Sequence, residues 1–141
     1  MVTINNPNNL RLAVSVILRY ASGLYLGVSR KDDPNAWGLP GGKIDPEDDG
    51  DPVTAVLREL KEETGLIGTR EYLKYVYQGT SAGDVGYHVI TFVLYDYTGE
   101  INTMEAGRVG WVTVQQLLDG PFGEYNRQAF TKIGLLSPDA A

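Results

Sequence analysis

The 141-residue chain contains no cysteine, which excludes disulfides, zinc clusters and thiol nucleophiles. Histidine occurs once, as His88 inside an apolar run, where a structural role is expected. No lysine- or arginine-rich block is present. Acids outnumber bases 18 to 12 for a formal net charge of −6, so a protein that grips a nucleic-acid backbone is disfavoured. No apolar run reaches membrane-spanning length, and the opening MVTINNPNNL lacks the charged and apolar regions of a signal peptide. A cytoplasmic protein without membrane attachment is expected. What is present, 43% hydrophobic and 21% charged residues, suits one compact domain over residues 1–141.

In LRLAVSVILRY, Leu10, Leu12, Val14, Val16, Leu18 and Tyr20 share one parity, the period of a strand, while Ala13 and Ile17 make the other face partly apolar. After ASG the alternation resumes at Leu24, Leu26 and Val28. Residues 10–30 are therefore expected to form a hairpin that ends in the loop KDDPNAWGLPGG. From Val53 the period becomes helical, with Val53, Val56, Leu57, Leu60 and Thr64 on one stripe and Gly65 as the stop. YLKYVYQG and YHVITFVLYDY predict two strands joined by TSAGDVG, the second central because it is apolar on both parities. A short helix is expected from about Val114, then a last helix docking Tyr125, Ala129, Phe130 and Ile133 on the sheet. The order predicts an α+β fold, with a mixed β-sheet between helices in an α/β/α sandwich.

The helix LRELKEETGL carries Glu59, Glu62 and Glu63 at i, i+3 and i+4. A rotation of about 100° per residue brings them to one face. Such a face is either a solvated acidic surface or a cation site. Carboxylates with divalent cations offer a route to polyphosphates that needs no basic patch, and so suits an acidic chain.

With its flanks, GLPGGKIDPEDDGDPVTAVLRELKEETGL resembles the Nudix box, the signature of the Nudix hydrolases. The pattern matches at Gly42, Arg58, Glu59, Leu60, Glu62, Glu63, Gly65 and Leu66. The resemblance covers residues 41–66, under a fifth of the chain. WGLPGG before it and GRVGWVTVQQLLDG after it are also similar to the family. Between Gly42 and Arg58 lie 15 residues, two more than the family pattern. Counting forward puts Asp48 at the place of the first glutamate, counting backward puts Gly50 there, and a small shift would use Asp51. This longer acidic loop is expected to be peripheral to the chemistry.

The resemblance implies an α/β/α sandwich and magnesium-dependent hydrolysis of a nucleoside diphosphate linked to another group, with manganese as a substitute. It implies metal ligands at Glu59, Glu62 and Glu63 with the Gly41 carbonyl. Arg58 can reach Glu62 and is expected to orient it rather than to contact phosphate. The general base is either Glu59 or Glu105, the latter in TMEAGRVGW, where an exposed loop acid is the alternative. Arg30 either grips phosphates or forms a surface salt bridge. Trp37 lines the pocket or packs. Tyr125 and Asn126 either meet a base or serve as core tyrosine and helix cap. The expected partner is a small-molecule nucleotide, with a homodimer as the one protein assembly considered. Marks of ADP-ribose, dinucleoside polyphosphate, NADH and coenzyme-A hydrolases are absent. Elimination leaves nucleoside triphosphates, oxidised ones included, cleaved to monophosphate and pyrophosphate. The alternatives are a nucleotide-sugar or ADP-ribose hydrolase and a non-catalytic nucleotide-binding domain.

Overall fold

A computed structural model describes residues 2–20, 23–81, 86–102 and 107–136. In chain order its elements are β1 (Arg11–Leu18), β2 (Leu24–Ser29), β3 (Trp37–Gly38), β4 (Gly41–Lys43), α1 (Pro52–Thr64), β5 (Ile67–Gly68), β6 (Leu73–Thr80), β7 (Tyr87–Leu94), β8 (Tyr97–Thr98), β9 (Val109–Thr113), α2 (Val114–Leu118) and α3 (Gly123–Lys132). The larger sheet runs β4-β1-β7-β6; β1 and β7 are parallel and the other neighbours antiparallel, so the sheet is mixed. β7 is internal, as its two apolar parities require.

The hairpin expected over 10–30 does not form as a two-stranded unit. Arg19 and Tyr25 make a single bridge, and Tyr20 N–H donates to the Leu24 carbonyl at 2.8 Å. Beyond that turn the strands part. Both edges of β1 are taken, by β4 and by β7, which leaves no ladder for β2. β2 instead joins a second, antiparallel sheet in the order β3-β2-β9.

Helix α1 is set by its ends. The Asp51 carboxylate accepts from Val53 N–H at 3.2 Å and from the Thr54 hydroxyl at 2.7 Å, Pro52 occupies the first turn, and Gly65 ends the helix in the left-handed region at φ 83°. Val56 and Leu60 are buried against Val14, Val16, Leu18, Ile90 and Phe92 of the sheet. Burying each contributes roughly 1.5–3 kcal/mol, well above the few tenths that one glutamate pair costs, so α1 can carry its acidic face.

On the other face of the sheet, Tyr125, Ala129 and Phe130 of α3 and Leu117 of α2 pack against Ile17, Val89 and Val93. The sheet therefore lies between helices. His88 is buried in β7 and holds the N-terminal segment: its Nε2 donates to Gln78 Oε1 at 2.7 Å, and Gln78 Nε2 donates to the Thr3 carbonyl at 2.8 Å. Burial lowers the His88 pKa and keeps the ring neutral, in keeping with a structural role. Among the described residues, no helix is long and apolar enough to cross a membrane.

Candidate active site

Arg58, on α1 and largely covered by its acidic partners, braces the glutamate face. Its Nε and Nη2 donate to Asp48 Oδ1 and Oδ2, both at 2.9 Å. Nη1 donates to Glu59 Oε1 at 3.1 Å and Glu62 Oε2 at 3.0 Å, and Nη2 also donates to the Lys43 carbonyl at 3.2 Å. A guanidinium has five N–H donors, and these bonds use all of them. The expected orienting role fits this arrangement better than phosphate contact does. Asp48, hydrogen-bonded by Arg58 and by Asp45 N–H, is held below the usual carboxylate range, while Arg58 is raised by the same partner.

Asp48 is therefore not peripheral to the glutamate face; its side chain is 1% exposed and locked to Arg58. The two extra residues fall after it. Asp49 and Gly50 turn the chain through left-handed conformations at φ 53° and 72°, and Asp51 caps α1. Counting forward from Gly42 thus picks out the aspartate that pairs with Arg58.

The edge strand β4 lies against the acidic face. Gly41 N–H donates to Glu63 Oε1 at 2.7 Å. A β-carbon at Gly41 would run into the Val14 carbonyl, whereas one at Gly42 would lie 2.6 Å from the Glu59 carboxylate carbon. The two glycines therefore fail differently. Gly42→Ala can be absorbed by swinging Glu59 aside, so unfolding free energy is expected to change by less than about 1 kcal/mol. Turnover is expected to fall at least about tenfold, because displacement by about 1 Å is costly at a reacting centre. Paired melting and rate measurements check this; undiminished turnover would show that Glu59 need not stay beside Gly42.

As donors, three carboxylates and a backbone carbonyl suit a hard divalent cation, and Gly42 leaves the room that Glu59 occupies. Among the described residues, however, no three acidic or imidazole groups already stand together as a metal-binding set. Glu59 and Glu62 lean on Arg58, and Glu63 on the Gly41 amide.

Strand β4 also borders a cavity of about 280 Å³ on the α3 side of the sheet. Ala13, Ser15 and Val89 line it from the sheet, Gly41, Gly42 and Lys43 from its rim, and Phe122, Tyr125 and Asn126 from around α3. Tyr125 and Asn126 are thus brought to the cavity, both inside α3. Asn126 Nδ2 donates to the Leu117 carbonyl in the last turn of α2 at 3.4 Å rather than capping the start of α3, whose N-cap is Phe122.

Arg30 is exposed and bidentate with Asp32, at 2.9 and 3.1 Å. Trp37 is buried in the core, with the Arg108 guanidinium 5.2 Å from its ring centre. Glu105 lies outside the described residues. Sequence reasoning singled out neither Ser15 nor Thr91. The available signal was a hydroxyl residue interrupting each of two apolar strands.

Comparison with known proteins accords with this geometry. A 47% identity over 60 residues links the chain to Nudix hydrolase 26, chloroplastic, of Arabidopsis thaliana, covering 43% of this chain and 27% of that protein. An RNA pyrophosphohydrolase of Rhodospirillum rubrum is 42% identical over 77 residues, 55% of this chain and 42% of that one. These matches span less than half of either relative. Among solved structures, a MutT NUDIX hydrolase from Burkholderia pseudomallei superposes with a TM-score of 0.71 at 25% identity, over 89% of this chain and 98% of that one. The E. coli ORF135 protein shares the fold with a TM-score of 0.71 at 22% identity, over 96% of this chain and 100% of that one. The NUDIX domain profile matches residues 9–133, nearly the whole fold and both sides of strand β4, and the chain belongs to that family.

Proposed function

We propose that the chain hydrolyses nucleoside triphosphates, oxidised ones included, to monophosphate and pyrophosphate. The observation that carries this reading is the placement of the apolar cavity and the acidic face on either side of Gly41 and Gly42. A base in the cavity extends its phosphates across two residues without side chains, towards Glu59, Glu62 and Glu63. Those glutamates and the Gly41 carbonyl would hold magnesium, or manganese in its place, which when bound neutralises phosphate charge and activates water. Arg58 orients Glu59 and Glu62 by charge-assisted hydrogen bonds. Tyr125 and Asn126 wall the base, and Lys43 stands at the rim. We assign Arg30 and Trp37 to flanking support, since one is paired at the surface and the other packed in the core.

Glu59 is hydrogen-bonded by Arg58 on the face proposed to hold the metal, so we assign it to ligation and take Glu105 as our candidate for the base. Glu105→Gln keeps size and removes basicity. Turnover is expected to fall about 10²-fold or more at saturating magnesium, with substrate affinity nearly unchanged and the acid limb of the pH–rate profile lost. Retention of most turnover with the same profile would return the role to Glu59.

The likeness to an RNA pyrophosphohydrolase favours a second reading, removal of pyrophosphate from a 5′-triphosphorylated RNA. The excess of acids argues for the free nucleotide. A panel of nucleoside triphosphates, ADP-ribose, a nucleotide sugar and a triphosphorylated oligonucleotide, assayed with magnesium for released pyrophosphate and phosphate, decides between them. Pyrophosphate release confined to the oligonucleotide would replace the first reading with the second. No hydrolysis of any member would leave a nucleotide-binding domain.

A further inference from the structure

Two hydroxyl residues stand in register where β1 and β7 run parallel: Ser15 is the partner of Thr91. Ser15 Oγ is 2.8 Å from Thr91 Oγ1, Thr91 Oγ1 is 2.6 Å from Tyr125 Oη, and Tyr125 Oη is 3.0 Å from the Val89 carbonyl oxygen. Three protons are shared along this buried line. A carbonyl oxygen only accepts, so the Tyr125 phenol donates to Val89; burial pushes the phenol pKa up, which keeps that proton in place. Each hydroxyl has one proton, so Thr91 then donates to Tyr125, and Ser15 donates to Thr91. The reverse order would leave phenol and carbonyl oxygens 3.0 Å apart with no proton between them, an unmade hydrogen bond in the core.

The open end of this line is Ser15, which borders the cavity beside Ala13, Val89, Tyr125 and Asn126. An ordinary serine rotates its hydroxyl to suit either a donor or an acceptor. Here the proton is committed to Thr91, and what Ser15 turns to the cavity is a lone pair.

We propose that Ser15 is a specificity-determining residue that accepts from an amino group on the base, so that amino-bearing bases are preferred to counterparts with an oxo group at the same ring position. The proposal rests on reading the cavity as the base site. An oxo group set against Ser15 meets lone pair with lone pair, whereas an amino group completes the line. Thr91, fully buried beneath Ser15, is a positioning residue that acts by fixing the serine proton.

Equilibrium binding to the full chain tests this without turnover, using CMP against UMP and AMP against IMP. The amino member of at least one pair is expected to bind about tenfold or more tightly. Thr91→Val keeps the shape but removes the acceptor of the serine proton, so that ratio should fall below about threefold, and Thr91→Ser should restore it. Ser15→Ala should abolish the preference with Thr91 and Tyr125 still bonded, which covers the case of a Thr91→Val protein that does not fold. Equal binding within both pairs, a ratio unmoved by Ser15→Ala, or no nucleotide binding at all overturns the proposal. Hydrolysis is scored separately. Turnover without an amino preference sinks this inference and spares the hydrolase reading, and preferential binding without turnover does the opposite.

Discussion

An Arg58→Leu protein is expected to be less stable than the parent by about 3–5 kcal/mol at pH 7, a fall in Tm on the order of 10–20 °C. The cause is Asp48. Its side chain is 1% exposed, and its two oxygens each accept from Arg58 at 2.9 Å. Leucine fills the space of the arginine stem but leaves a buried carboxylate facing only the Asp45 amide, 2.8 Å away. An uncompensated buried charge costs far more than a lost surface ion pair, for which the loss would be about 0–1 kcal/mol. Asp48→Asn in the Arg58→Leu background removes that charge and should recover part of the loss, whereas in the parent it should itself cost about 1–3 kcal/mol.

The pH dependence gives the sign independently. The Arg58 guanidinium holds the folded-state pKa of Asp48 below its unfolded value, so the contribution is fully present above about pH 4 and disappears as pH falls through the folded value. The stability gap between the parent and Asp48→Asn should therefore be widest near neutrality and close in acid. Chemical unfolding of the four proteins from pH 7 to pH 2 measures it. An Arg58→Leu loss under about 1 kcal/mol, or a gap that does not change with pH, would show that the pair contributes little net stability.

Regularity explains which parts of the molecule could be read in advance. α1 shows its helical period from Val53 and its stop at Gly65, and its stripe and its acidic face follow from one period, while the Asp51 cap emerges only in the structure. The double-sided apolar run of β7 marks an inner strand, and Thr113 with Gln116 caps α2 close to the expected Val114. The divergence of β1 and β2 left no such mark. Which strand occupies an edge of β1 is decided by residues 28 and 76 positions away, Gly42 against Val14 and Ile90 against Val14 for instance, and no local period encodes that competition. The role of Asp48 was hidden for a related reason: spacing alone left three candidates, and only the left-handed turn at Asp49 and Gly50 shows where the extra length is absorbed. The cavity is the least legible feature, since Ser15, Gly42, Val89 and Tyr125 converge on it from four elements.

The largest loss of activity is expected from the two acids that close the glutamate face. Glu62→Gln and Glu63→Gln each preserve the shape of the side chain and an amide oxygen able to accept, so Arg58 Nη1 and the Gly41 amide, now 3.0 and 2.7 Å from Glu62 and Glu63, keep a partner. The fold should hold, with unfolding free energy within about 0.5 kcal/mol of the parent. What each change removes is one negative charge from a set proposed to bind magnesium. Charge neutralisation at a transferring phosphoryl group is worth several kcal/mol, so turnover at saturating magnesium should drop on the order of 10²-fold or more, and calorimetric titration should show weaker binding of manganese to the protein itself. Because Arg58 already bonds to Glu59 and Glu62, repulsion among the acids is partly offset in the parent, and any gain in metal-free Tm from losing a charge should be small. The parent should lose activity in excess chelator and regain it with added magnesium. Two results would sink the assignment: undiminished turnover in chelator, or a Glu63→Gln protein that keeps more than about a tenth of the parental rate and binds manganese as tightly as before.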